Sequence, residues 1–267
     1  DAPVAPPYPG RRLGVAQRDH YKLGAALLWS GYDGAALPYL EASVARQPEN
    51  ARMWMLIGRA HLRLSQLPLA ESALLKATAL EPRLADAWNE LGGVAAARND
   101  RARALEHYQR ALSIQDDLLY AHLNAGQALE GLSRLPEAER HFRRARALDA
   151  KSPDAANALG LVLAKQGQAA EAKALLQDAI RLKPDFAAAV NNLGVLYMQQ
   201  GQMNDAVAAF RYGIQQSPKE EILYVNLARI YLQSGEREKA RQLMRELLDA
   251  VPSSTVAARA LREIGVQ

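Results

Sequence analysis

NNLGVLY, residues 191–197, is one version of a phrase that the chain keeps rewriting. WNELGGV begins at Trp88, NALGLVL at Asn157 and VNLARIY at Val225. In each, a leucine is followed by glycine or alanine, and an apolar residue stands four places after the leucine. That spacing puts both apolar residues on one face of a helix. The decisive question is what interval separates the copies, because a fixed interval makes each copy one unit of a stacked array.

The interval is 34, and it holds without insertion or deletion over seven registers: 17–50, 51–84, 85–118, 119–152, 153–186, 187–220 and 221–254. Position 20 of every register is alanine: Ala36, Ala70, Ala104, Ala138, Ala172, Ala206 and Ala240. Position 8 is glycine in six registers and Ala228 in the last. Position 27 is small in six and becomes Leu247 in the last. Position 32 is proline at Pro48, Pro82, Pro184, Pro218 and Pro252.

The chemistry of these positions predicts two helices per register. The first runs over roughly positions 1 to 14, with positions 4, 7 and 11 on its apolar face, as at Val190, Leu193 and Tyr197. Position 15 holds Gly31, Asn99, Gly167, Gly201 and Gly235, residues suited to the left-handed turn that ends a helix. Ser65 and Ser133 take that place in two registers, with Pro68 and Pro136 following in the first turn of the second helix. Small residues at 8, 20 and 27 let two helix backbones approach closely, and proline at 32 stops the second helix.

This pattern resembles the tetratricopeptide repeat family, which carries Trp, Leu and Gly at 4, 7 and 8, Tyr at 11, Ala at 20, Phe at 24, Ala at 27 and Pro at 32. Trp54, Trp88, Tyr197, Tyr231, Phe142 and Phe210 fall on the matching positions. Asp116 and Ala150 at 32 and His61 at 11 depart from it. The resemblance implies an all-α, right-handed superhelical α-solenoid of helix-turn-helix repeats. Residues 255–267 follow with an apolar stripe of Val256, Ala257, Ala260, Leu261 and Ile264. Ser253 and Ser254 are its candidate N-caps. Arg262 falls on position 8, where it would obstruct a further repeat, so this segment is expected to be a C-terminal capping helix that closes the array.

Composition narrows the function. No cysteine is present, which removes disulfides and thiolate chemistry. No apolar run is long enough for a transmembrane helix. A formal charge of +4 is too small, for this length, to argue nucleic acid. Residues 1–16 form a Pro/Ala-rich arm, with four prolines in the first ten residues. Such an arm suits a segment that follows a removed signal or lipid anchor, or an interdomain linker. The first reading favours a periplasmic or otherwise exported protein, with the cytoplasm as the alternative.

No catalytic, cofactor or metal motif is found. His20, His61 and His122 sit at packing positions 4 and 11. His107 and His141 share position 23 in consecutive registers, so a stack one repeat apart is conceivable, but no carboxylate or cysteine completes a ligand set. The basic run RHFRRARALD, residues 140–149, has Phe142, Ala145 and Leu148 between its charges at helical spacing. It reads as the solvated face of an amphipathic helix.

The resemblance implies that the first helices line a concave groove that holds peptides or short helices. The residues at positions 2, 5, 6, 9, 12 and 13 point away from the packing face. They give candidate peptide-groove residues Arg52, Arg59, Asn89, Tyr120, Asn124, Gln127, Asn157, Asn191, Asn192, Asn226 and Arg229. From the third register onward every register has asparagine at position 5 or 6. An amide offers both donor and acceptor, which matches an extended peptide backbone. A similar ladder occurs in the repeat domains of O-linked N-acetylglucosamine transferases, although asparagine at 6 is itself common in the family. Arg52 and Arg59 could receive an acidic segment. The carboxylate clamp of chaperone-binding relatives is not matched by any three consecutive registers.

The expectation is a non-catalytic scaffold that binds a protein or peptide, in the manner of a bacterial assembly or adaptor factor. The alternative is the recruiting domain of a larger enzyme, such as a glycosyltransferase or methyltransferase. RNA reading, as in relatives with 35-residue repeats, fits the spacing and charge poorly. Neither the partner nor the oligomeric state is encoded legibly.

Overall fold

The computed structural model describes residues 20–265; the proline-rich arm, residues 17–19 of the first register and residues 266–267 of the expected capping segment lie outside them. The described residues form fifteen α-helices and no strand. The chain divides after Asp116 into two units. The first holds α1 (His20–Trp29), α2 (Asp33–Val44), α3 (Ala51–Arg63), α4 (Leu67–Leu80), α5 (Ala85–Ala97) and α6 (Arg101–Ile114). The second holds α7 (Leu119–Gly131), α8 (Leu135–Leu148), α9 (Pro153–Lys165), α10 (Ala169–Leu182), α11 (Ala187–Gln199), α12 (Met203–Gln216), α13 (Glu221–Gln233), α14 (Arg237–Ala250) and α15 (Thr255–Gly265). Within each unit, odd and even helices pack as hairpins, and each hairpin stacks on the next. From α3 to α14 the helix bounds recur every 34 residues.

The turn inside every hairpin is the same. Position 15 is left-handed in all seven registers, at Gly31, Ser65, Asn99, Ser133, Gly167, Gly201 and Gly235. The N–H that follows reaches back to the carbonyl of position 11, as from Gln66 to His61 at 2.8 Å and from Arg134 to Leu129 at 2.9 Å. This closes the free carbonyls at the helix end. Two registers make the turn with serine, at φ 58° for Ser65 and 61° for Ser133. A Cβ in that region is strained. Ser133→Gly is therefore expected to stabilise the chain by about 0.5–1 kcal/mol, read as a rise in melting temperature. No rise would mean that the serine relieves its strain by other means.

Packing explains the small residues. The alanine at position 20 is fully buried in every register. The glycine at position 8 lies under the side chain at position 24 of the same register. A Cβ on Gly58 would stand 2.5 Å from Leu74, and one on Gly194 would stand 2.5 Å from Phe210. In the last register alanine replaces glycine, and the residue at position 24 is the unbranched Met244. A methionine adapts where a ring cannot.

Position 32 has a second role that the sequence does not announce. The indoles of Trp54 and Trp88 donate to the carbonyls of Pro48 and Pro82 at 2.8 and 3.0 Å, and the Tyr224 hydroxyl donates to Pro218 at 3.0 Å. Position 4 thus clamps the loop that precedes it. Side chains of Asn50, Asp100, Ser152 and Ser254 cap the helices that follow them. Ser254, not Ser253, caps α15, which packs against α14 with Ala257 and Ile264 buried and Arg262 exposed. Arg237 and Arg241 both donate to the Ile264 carbonyl at 3.5 Å, where a helix end favours positive charge.

Candidate functional site

The first helices of each unit lie side by side: α1, α3 and α5 in one, α7, α9, α11 and α13 in the other. Their polar residues were expected to face away from the packing. The structure shows that many of them face a neighbouring repeat instead. Asn192 donates from Nδ2 to Asn157 Oδ1 at 2.9 Å, and Asn226 donates to Asn191 Oδ1 at 2.6 Å. Both bonds run from position 6 of one register to position 5 of the one before. The amides are rungs between consecutive repeats. Asn226 is only 4 % exposed, so its expected exposure is corrected: position 6 is wedged against the preceding first helix. Asn157, Asn191 and Asn192 are half-buried and keep amide groups beyond those used in the rungs. Asn89 on α5 and Asn124 on α7 are also half-buried.

The charges behave alike. Arg59 on α3 donates to Glu90 on α5 at 2.7 Å, with both side chains mostly buried. Arg63 donates to the Leu28 carbonyl at 2.9 Å and to Asp33 at 3.3 Å, closing the end of α1. Lys165 on α9 pairs with Glu130 on α7. The basic stretch at the start of the array is thus partly neutralised from within, and an acidic segment would compete with Glu90 for Arg59. Arg52 is exposed on α3.

In the second unit Tyr120 and Gln127 are exposed on α7, and Arg229 is exposed on α13. Tyr120 is 69 % exposed, a large aromatic ring held out from a rigid helix. Gln127 stands seven positions after it, so the two share one helix face. The second-unit face therefore offers an aromatic anchor, amides in a half-buried row and one guanidinium.

The remaining candidates resolve into packing. His107 stacks on Trp88 with ring centroids 5.7 Å apart, and His141 meets His122 with Nδ1 atoms 3.0 Å apart. The ring partner of each is position 4 of its own register, in place of the stack one repeat apart. Burial, with Arg103 behind it, holds the His107 imidazole below its ordinary value. The unfolded chain then takes up the proton first, so this contribution to stability is present above about pH 6.5 and is lost as pH falls. An NMR titration of the His107 ring is expected to show a midpoint below about 6.5, and a midpoint at or above that value would contradict its burial. The arginines of 140–149 are also engaged: Arg143 bridges Glu139 and Glu171, each at 2.8 Å, and Arg146 pairs with Asp178. Among the described residues no group of three or more His, Cys, Asp or Glu side chains could hold a metal ion, and no helix is long and apolar enough to cross a membrane.

Comparison with known proteins follows the same lines. A family model described as tetratricopeptide repeat matches residues 34–82, 58–118, 123–185 and 157–221, and a second model of the same description matches 199–264. Tetratricopeptide repeat protein 5 of Bos taurus is 38% identical over 88 residues, 30% of this chain and 20% of that protein. The chain therefore spans about a fifth of that relative's length. A chain of the APC/C hetero-tetramer Cut9–Hcn1 superposes with TM-score 0.72 at 23% identity, over 91% of this chain and 48% of that one. PilW, a widely conserved type IV pilus biogenesis factor, superposes with TM-score 0.70 at 23% identity, over 80% of this chain and 97% of its own. At these identities the two structures speak for the fold.

Proposed function

The chain belongs to the tetratricopeptide repeat family of protein-interaction scaffolds, and we propose that it is a non-catalytic assembly or adaptor factor. Its first-helix face in the second unit would hold an extended peptide or a partner helix. The observation that carries this reading is the exposed Tyr120 beside Gln127, on the same run of helices as the half-buried amide rungs. Tyrosine supplies large contact area at low entropic cost and is enriched among residues that dominate binding energy. The rungs fix the spacing of the first helices, and the amide groups they leave over can pair with a peptide backbone. Arg229 adds a charge-assisted donor for a carboxylate. The fold likeness to a pilus biogenesis factor is in keeping with an assembly role. The proline-rich arm leads us to propose an exported location, which fractionation of the source cells tests.

The direct test of the interaction is affinity capture. The full chain and a Tyr120→Ala/Gln127→Ala variant are used as bait on an extract of the source organism, and captured proteins are compared. A protein retained by the natural chain and lost with the variant supports the reading. Identical captures by both baits would remove it. The variant leaves every buried position intact, so unchanged melting is expected to accompany the lost capture.

A further inference from the structure

The outer face of the first register, the side that a preceding repeat would cover, is apolar and open among the described residues. Positions 7 and 10 are buried in each of the six later registers, from Ile57 and Ala60 to Leu227 and Ile230. In the first register they are Leu23, 39 % exposed, and Ala26, also exposed. A long side chain at position 13 reaches back to the register before it, as Arg63 does to the Leu28 carbonyl and Lys165 to Glu130. In the first register that position is Trp29, 78 % exposed. Leu23, Ala26 and Trp29 follow one another at three-residue steps on α1, so they share one face. Positions 19 and 26 carry Glu171 and Asp178 in the fifth register, each paired with an arginine of the fourth. The first register has Ala35 and Ala42 there, so those ion pairs have no counterpart.

The far end of the array is finished differently. There α15 covers the last hairpin and turns Arg259, Arg262 and Glu263 to solvent. A polar outer face on the terminal unit is what keeps a repeat array soluble. The first register presents leucine and an indole instead, and an exposed apolar surface of this kind marks a place that another segment covers.

The cover must be uncharged and poor in N–H groups, because Leu23, Ala26 and Trp29 offer no acceptor. Residues 2–10, APVAPPYPG, meet both demands. They carry no charge, and their four prolines have no N–H but keep their carbonyls. Proline-rich segments dock on aromatic surfaces in this way. The other two indoles of the chain, Trp54 and Trp88, both donate to a proline carbonyl. The stretch is also within reach. The 19 residues before His20 arrive at the start of α1, a helix of ten residues and therefore about 15 Å long. Ten extended residues span roughly 31 Å, twice that length. A tethered segment competes at an effective concentration near millimolar, which favours it over a free partner or a second copy.

We propose that residues 3–9 fold back over the outer face of α1, with their prolines against Leu23 and Trp29 and a carbonyl of the segment accepting from the Trp29 indole. The arm would close the start of the array as α15 closes its end. This goes beyond the interaction face proposed for the second unit and does not rest on it.

The test uses the whole 267-residue chain in four forms: natural, Pro6→Ser/Pro7→Ser/Tyr8→Ser, Leu23→Ser/Trp29→Ser, and all five changes together. Leu23 and Trp29 are exposed, so the second form is expected to fold. In methyl NMR the arm changes should shift the Leu23, Ala26 and Leu27 resonances. Those of Leu227 and Ile230, at positions 7 and 10 of the last register, should stay in place. Each set of changes alone should lower the melting temperature by about 2–4 °C, and the combined form should melt no lower than the weaker of the two. Resonances on α1 that ignore the arm changes, or melting losses that simply add, would overturn the proposal. Sedimentation separates a second copy from the chain's own arm. A monomer at every concentration is expected, and a dimer that dissociates in Leu23→Ser/Trp29→Ser would assign the face to a second copy and overturn docking within one chain.

Discussion

Gly194→Ala is expected to destabilise the chain by about 1–3 kcal/mol, although alanine is the better helix former. The added Cβ would stand 2.5 Å from two ring carbons of Phe210, and that ring is fully buried and has no room to swing away. The hairpin of α11 and α12 must then open, or the ring must leave its rotamer. The last register shows the permitted alternative, Ala228 with Met244 at position 24. Gly194→Ala combined with Phe210→Met should therefore cost less than the two single changes added together. Chemical denaturation of the four proteins in the cycle measures this. Simple additivity would contradict the packing account.

Asn226→Ala is expected to cost about 1–3 kcal/mol, with no ligand present. Its side chain is buried and donates to Asn191 at 2.6 Å, so truncation removes the bond and opens a polar gap between α11 and α13. Asn191→Ala should cost less, because Asn191 is half-buried and water can reach what is left. The double variant should be less destabilised than the sum of the two, since both changes remove one bond. A melting temperature that does not move for Asn226→Ala would mean that the rung contributes nothing to the stack.

Most of the fold was legible because its demands are strict and repeat at a fixed interval. A left-handed turn, an alanine between two helices and a glycine under a ring each restrict the residue type, so Gly31, Ala138 and Gly194 announce themselves. The two serines at position 15 show the limit: Ser65 and Ser133 adopt the same left-handed turn that glycine takes elsewhere. The proline clamp was hidden because the acceptor is a backbone carbonyl, which has no letter. The candidate site was only half legible. Helical spacing marks the apolar stripe at positions 4, 7 and 11, but it does not say whether a residue outside that stripe meets solvent or a neighbouring repeat: Met55, Leu56 and Leu123, at positions 5 and 6, are buried. Arg59 meets the next repeat, Asn226 and Lys165 meet the preceding one, and Tyr120, Gln127 and Arg229 meet solvent. The distinction depends on the tilt between adjacent first helices, which one register cannot reveal.

The most direct test of the recognition account is a calorimetric titration of the captured partner into the natural chain and into Tyr120→Ala/Gln127→Ala, each checked first for its melting temperature. The account predicts affinity lower by about tenfold or more at unchanged stability, because these residues touch solvent and not the stack. Equal affinities for the two proteins would contradict it.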